Sequence, residues 1–162
     1  MQASSSAQTI GCIGKCTTGL TTEQLDQITD NINKTLSHPK GRQIFERYLQ
    51  RCNLYNSLEC LKLYKTCSEF ISKELTQSQS KGSDLKSLTI DVTTVKEIAE
   101  DLDGVPQIDM ALMKRFNEAL TNETREALLT VLEDTRDRSR DHLRNVHQSF
   151  KKYISKPCPL TK

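Results

Sequence analysis

From Asn122 to Ile154 the chain reads "NETREALLTVLEDTRDRSRDHLRNVHQSFKKYI", over thirty residues without a glycine or a proline. A stretch free of both helix breakers predicts one long helix, and a fold that must accommodate such a rod is built from helices. Leu128, Val131 and Leu132 are apolar at its start, and Val146, Phe150, Tyr153 and Ile154 at its end. Between them "DTRDRSRDH" is polar on every side, which predicts a segment that projects into solvent or bends.

The rest of the chain carries the same 3.6-residue period. Residues 1–20, rich in Ser, Thr and Gly, read as a flexible arm, and the ordered chain is expected over 21–156 with a tail at 157–162. Leu25, Ile28, Ile32 and Leu36 share one face of a first helix, opened by a capping box of Thr21 and Gln24. "SHPKG" interrupts it, because Pro39 disfavours a helical His38 but suits the first turn of a new helix. That second helix carries Ile44, Phe45, Tyr48, Leu49 and Cys52 on its inner side. "NLYNS" reads as a turn and Ser57 as the cap of a third helix, with Leu61, Tyr64, Cys67 or Ser68, and Ile71 in its stripe and Phe70 and Leu75 extending it. "TQSQSKGSD" is a polar loop. "LKSLTID" starts extended, with Asp91 capping a fourth helix through Val92, Val95, Ile98, Ala99 and Leu102. "DGVP" ends that helix, and Asp109 caps a fifth bearing Met110, Met113, Phe116 and Leu120. No strand alternation persists and no repeat recurs. The expectation is an all-α, single-domain helical bundle of about six or more helices.

Composition narrows the function classes. The 23 basic against 21 acidic residues give a net charge of +2, no footing for strong attraction to nucleic acid. Six basic residues lie between Arg136 and Lys152, beside Asp137 and Asp141, and read as a solvated face laced with ion pairs. No run approaches the ~18 apolar residues that span a bilayer, and the N-terminus lacks the charged start and apolar core of a secretory signal. A cytoplasmic protein with six reduced cysteines is the expectation, with Cys12 and Cys16 in "CIGKC" open to lipid attachment and hence peripheral membrane contact. Two sequons, at Asn33 and Asn122, weigh little against it.

Chemistry-bearing patterns are scarce. The three histidines are His38, before a proline, and His142 and His147, five apart and so on different helix faces. No cysteine pair has the spacing of a zinc site, "GCIGKCTTG" is not a phosphate loop, and no nucleophile–base motif occurs. The expectation is a non-enzyme with no metal and no cofactor.

Two segments, "LSHPKGRQIFERYL" and "SLECLKLYKTCSEF", together resemble a regulator of G-protein signalling (RGS) homology domain. The family's Gly followed by F-x-x-[FY]-L is matched by Gly41, Phe45, Tyr48 and Leu49. Its E-N-x-x-F-W-x-x-C-x-x-F is echoed by Glu59, Cys60, Leu63, Tyr64, Cys67 and Phe70, and "LTIDVTTVKEI" faintly resembles its V-N-L-D-x-x-T. The likeness covers residues 36–71, more weakly 88–98, and hardly the C-terminal third. It implies an RGS-like fold that binds a G-protein α subunit and, at most, activates that partner's GTPase. It implies partner-binding roles for Tyr55, Asn56, Glu59, Cys60 and Asp91. Cys60 stands where the family has an amide, and a thiol is a far weaker hydrogen-bonding group, which leaves acceleration open. Glu59 also has a structural reason to be there, since a carboxylate in a first turn suits the helix dipole.

Two rival readings stay open. One is a non-accelerating scaffold of the same fold that grips a peptide or another signalling protein in an apolar groove bordered by the third to fifth helices. The other is a secreted helical bundle stapled by disulfides.

Overall fold

The computed structural model describes residues 21–77, 85–102 and 104–155, and these form seven helices with no strand. The all-α class expected from the periodicity is what the chain adopts. The helices are α1 (Thr22–Ile28), α2 (Ile32–Ser37), α3 (Pro39–Arg51), α4 (Tyr55–Gln77), α5 (Leu85–Glu100), α6 (Met110–Asn122) and α7 (Arg125–Ser155). The proposed arm at 1–20, the tail at 157–162, and Cys12, Cys16 and Cys158 lie outside the described residues. Among the described residues no helix is long and apolar enough to cross a membrane.

Local side-chain chemistry sets most helix ends. The Thr21–Gln24 capping box forms in both directions, each bond at 3.0 Å. The single first helix expected from Leu25 to Leu36 is two helices instead. Thr29 folds its hydroxyl back onto the Leu25 carbonyl, and Asn31 caps α2 by accepting from the Lys34 amide at 2.9 Å. Extended His38 ends α2 and caps α3, and Pro39 takes the first position of α3. Asp109 caps α6 through the Leu112 amide, a bond that holds its carboxyl below the usual range. Glu123, left-handed at φ 52°, closes α6, and Thr124 then accepts from the Ala127 amide at the start of α7.

Three other expectations are corrected. Ser57 is the third residue of α4, not its cap, because the turn of α3 into α4 closes earlier. "LKSLTID" is helical from Leu85, so Asp91 lies inside α5. Cys52, Leu75 and Met110, all placed on inner stripes, are exposed.

The described residues gather into two compact units, one from 21–58 with 143–155 and one from 59–142. In the first unit Leu25, Leu36, Ile44, Phe45, Leu49 and Phe150 are essentially sealed from water. Phe45 and Phe150 meet at 5.0 Å between ring centres. Removal from water is worth about 2 kcal/mol for each ring, and the ring contact adds about 1 kcal/mol. Helices α2 and α3 approach closely, with Gly41 buried against the backbone of Thr35. His147 sits among these rings, 3% exposed, with Nε2 2.7 Å from the Thr35 hydroxyl. That hydroxyl already donates to the Ile28 carbonyl at 2.9 Å, so it can only accept from His147. Nε2 therefore carries a proton, and burial, which pushes the ring down to about 4, keeps the imidazole neutral at neutral pH.

In the second unit α4, α5, α6 and the first part of α7 enclose Leu61, Leu63, Val92, Val95, Leu112 and Phe116. Here the polar centre of the long helix receives its explanation. Thr135 and Ser139 are fully buried, and each returns its hydroxyl to the carbonyl four residues earlier, at 2.7 and 2.8 Å. The segment does not project into solvent, since small residues with self-satisfied hydroxyls bury at little cost. Its outward side is the expected ion-paired surface. Arg136 and Arg140 both reach Asp137, while Arg138 bridges Asp134 at 3.2 Å and Asp109 at 3.0 Å.

Candidate functional site

The site proposed from sequence centres on the opening of α4, and its geometry begins with the end of α3. Asn53 adopts the left-handed conformation at φ 56°. The Leu54 amide donates to the Leu49 carbonyl at 2.9 Å and the Asn53 amide to the Gln50 carbonyl at 3.2 Å. These two bonds make the reversal a Schellman turn, which fixes the chain direction before α4 starts. The next bond, Leu58 amide to Leu54 carbonyl at 2.9 Å, already belongs to α4.

From that fixed start the five nominated residues diverge. Tyr55, 64% exposed, donates its hydroxyl to the Asn53 amide oxygen at 3.0 Å. Asn56 is exposed, and Glu59 is exposed and paired with Lys62 at 3.1 Å. That pair is open to water on both sides and adds little stability. With α4 beginning at Tyr55, Glu59 is the fifth residue of the helix and no longer in the first turn. The dipole rationale for its presence falls away accordingly.

Cys60 and Asp91 do not belong to this surface. Cys60 is fully buried, its thiol donating to the Ser139 carbonyl at 3.4 Å. Burial pushes that thiol up to about 12, only partly opposed by the Ser139 bond. Seven residues further along α4, Cys67 is equally buried, and burial likewise raises it to about 12. Asp91, expected as a cap and a contact residue, is 8% exposed in the middle of α5 and pairs with Lys73 of α4 at 2.6 Å. A carboxylate so enclosed is held by its cation and cannot meet a partner. Nearby, Lys73 also lies over the Phe70 ring at 5.2 Å, and buried Glu74 meets Arg125 at 3.0 Å.

No family model, no curated protein and no solved structure matches this chain. The site's meaning rests on its own chemistry.

Among the described residues no group of three or more His, Cys, Asp or Glu side chains is placed to hold a metal ion. A cleft of about 270 Å³ opens between the end of α6 and the start of α7. Arg115, Glu118, Asn122 and Glu126 line it together with Ala119 and Ala127, which makes it a mixed polar surface and not an apolar peptide groove.

Cys52, Cys60 and Cys67 are free thiols, and their settings give a direct test. A thiol moved from 9 to about 12 holds about a thousandfold less thiolate, the species that alkylates. In the native protein, iodoacetamide at neutral pH is expected to label Cys52 and spare Cys60 and Cys67 until denaturant is added. Peptide mass mapping reads this, and native labelling of Cys60 at the Cys52 rate would refute its buried placement.

Sequence reasoning missed two buried polar pairs, Thr35 with His147 and Glu74 with Arg125. No local pattern marks either, because their partners stand far apart in the chain.

Proposed function

We propose that this chain is a helical protein-binding module, not an enzyme, that docks on the α subunit of a heterotrimeric G protein through the exposed opening of α4. One observation carries the reading. Tyr55, Asn56 and Glu59 stand in water within the first five residues of a helix whose entry is fixed by a Schellman turn. An aromatic, an amide and a carboxylate on a pre-set backbone suit a docking surface, since little ordering entropy remains to be lost on binding. The resemblance of residues 36–71 to RGS homology domains supplies the class of partner.

The placement of Cys60 refines the proposal. The position that resembles the family's amide is a buried thiol bonded to α7, so that amide's hydrogen bonds to a partner have no counterpart here. Two such bonds at a desolvated contact are worth about 2–4 kcal/mol. Binding with little or no acceleration of GTP hydrolysis is the consistent outcome.

Pull-down against Gα subunits loaded with GDP and aluminium fluoride, beside single-turnover GTP hydrolysis, tests both halves. The chain is expected to be retained by at least one Gα, and the double variant Tyr55→Ala, Glu59→Ala to lose about tenfold or more in affinity. Both side chains are exposed, so the variant keeps its fold, which circular dichroism verifies. Hydrolysis is expected to stay within about twofold of the intrinsic rate. Retention by no Gα in the panel rejects the reading.

A further inference from the structure

We propose that Tyr55 is a modification site, the acceptor for a tyrosine kinase. In the reaction the Tyr55 phenolic oxygen attacks the γ-phosphorus of ATP and gives its proton to a base of the kinase. An O–P bond forms to the ring as the bond to the β-phosphate oxygen breaks and ADP leaves.

The four tyrosines of the chain differ sharply in access. Tyr48 is buried, with ring centres 5.4 Å from Phe150 and 5.0 Å from Tyr153. Tyr153 is half-buried in that stack, and Tyr64 is half-buried on α4. Tyr55 alone has most of its ring in water. Its backbone position matters as much as its exposure. A kinase takes its tyrosine on an extended strand, so the acceptor must peel away from its fold. Tyr55 is the first residue of α4, where the amides of a helix have no intrahelical partner. Releasing it opens the Schellman turn and the first turn of α4, whereas releasing Tyr64 would break an intact helix at its tenth residue.

The modification has a local consequence. The hydroxyl proton that Tyr55 gives to Asn53 is lost, which frees the left-handed residue that the turn depends on. A phosphate of about −2 also arrives four residues before Glu59, on the same side of the helix. The chemistry of the α4 opening is thereby changed whatever it binds, so the assignment does not rest on the Gα reading.

The test uses the folded full-length chain, a broad-specificity tyrosine kinase domain and magnesium ATP, followed in time by intact mass and peptide mapping. The first phosphate is expected on Tyr55, and Tyr55→Phe to slow incorporation about tenfold or more while Tyr64→Phe leaves it unchanged. A synthetic peptide of residues 50–61 serves as the unstructured reference. First phosphorylation at another tyrosine overturns the proposal. So does a folded chain modified about a hundredfold more slowly at Tyr55 than the peptide, because the fold would then occlude the site.

Discussion

Lowering the pH from about 6.5 to about 4 is expected to remove about 3 kcal/mol of folding stability through His147 alone. Burial is the main reason its imidazole resists protonation, the Lys151 cation adds to it, and the Asp30 carboxylate opposes it in part, leaving the ring at about 4. The ordinary value is 6.5, so the unfolded chain takes up this proton first as the pH falls. The stabilisation is therefore complete above about 6.5 and drains away down to about 4, at up to about 1.4 kcal/mol per pH unit. The geometry gives the same sign, since an imidazolium would bring a full charge into a buried site walled by Phe45 and Phe150. Urea midpoints between pH 7.5 and 4.5 for the native chain and His147→Gln measure it. Glutamine can still donate to Thr35 and does not titrate, so surface carboxylates cancel in the difference. Parallel stability curves for the two proteins would remove His147 as the cause.

Gly41→Ala sets two physical effects against each other. Alanine favours a helix over glycine by about 1 kcal/mol, so propensity alone predicts stabilisation. An added Cβ, however, would stand 2.5 Å from the Thr35 carbonyl oxygen and 3.1 Å from its Cα. Thr35 cannot yield easily, because its side chain is bonded to both Ile28 and His147. Overpacking of this kind costs about 1–3 kcal/mol, and against rigid backbone the upper part of the range applies. The expected net loss is about 2 kcal/mol, a fall of about 4–8 °C in Tm. Calorimetry decides the sign. A variant as stable as the native chain would mean that α2 and α3 do not approach this closely.

What the sequence disclosed was what neighbours along the chain decide. Thr21 with Gln24, His38 with Pro39 and Asp109 with Leu112 are caps made within four residues, and all three stand where the spacing put them. The break at Thr29–Asn31 was also local, yet the run Leu25, Ile28, Ile32, Leu36 keeps its period straight through it. Asn31 ahead of Ile32 was the available signal. Asp91 deceived for the opposite reason. An aspartate before "VTTV" looks like a cap, and only the tertiary approach of Lys73 makes it an interior residue. Cys60 shares the helical spacing of Cys67, which favoured burial, whereas the family resemblance drew it outward. Thr135 and Ser139 look like surface residues to any hydropathy scale, because their hydroxyls are satisfied inside their own helix. Of the nominated residues, Tyr55, Asn56 and Glu59 are exposed, whereas Cys60 and Asp91 were lost to packing.

The bond between Thr35 and His147 joins residues 112 apart in the chain. During synthesis α1, α2 and α3 leave the ribosome long before Leu143, His147 and Phe150 exist. Until then Leu25, Leu36 and Phe45 have no lid from the end of α7, so a nascent chain carries an open apolar surface until that end has been made. The last dozen or so residues of α7 thus complete this unit, and a chain that stops short of them leaves its apolar surface for chaperones or proteases to claim.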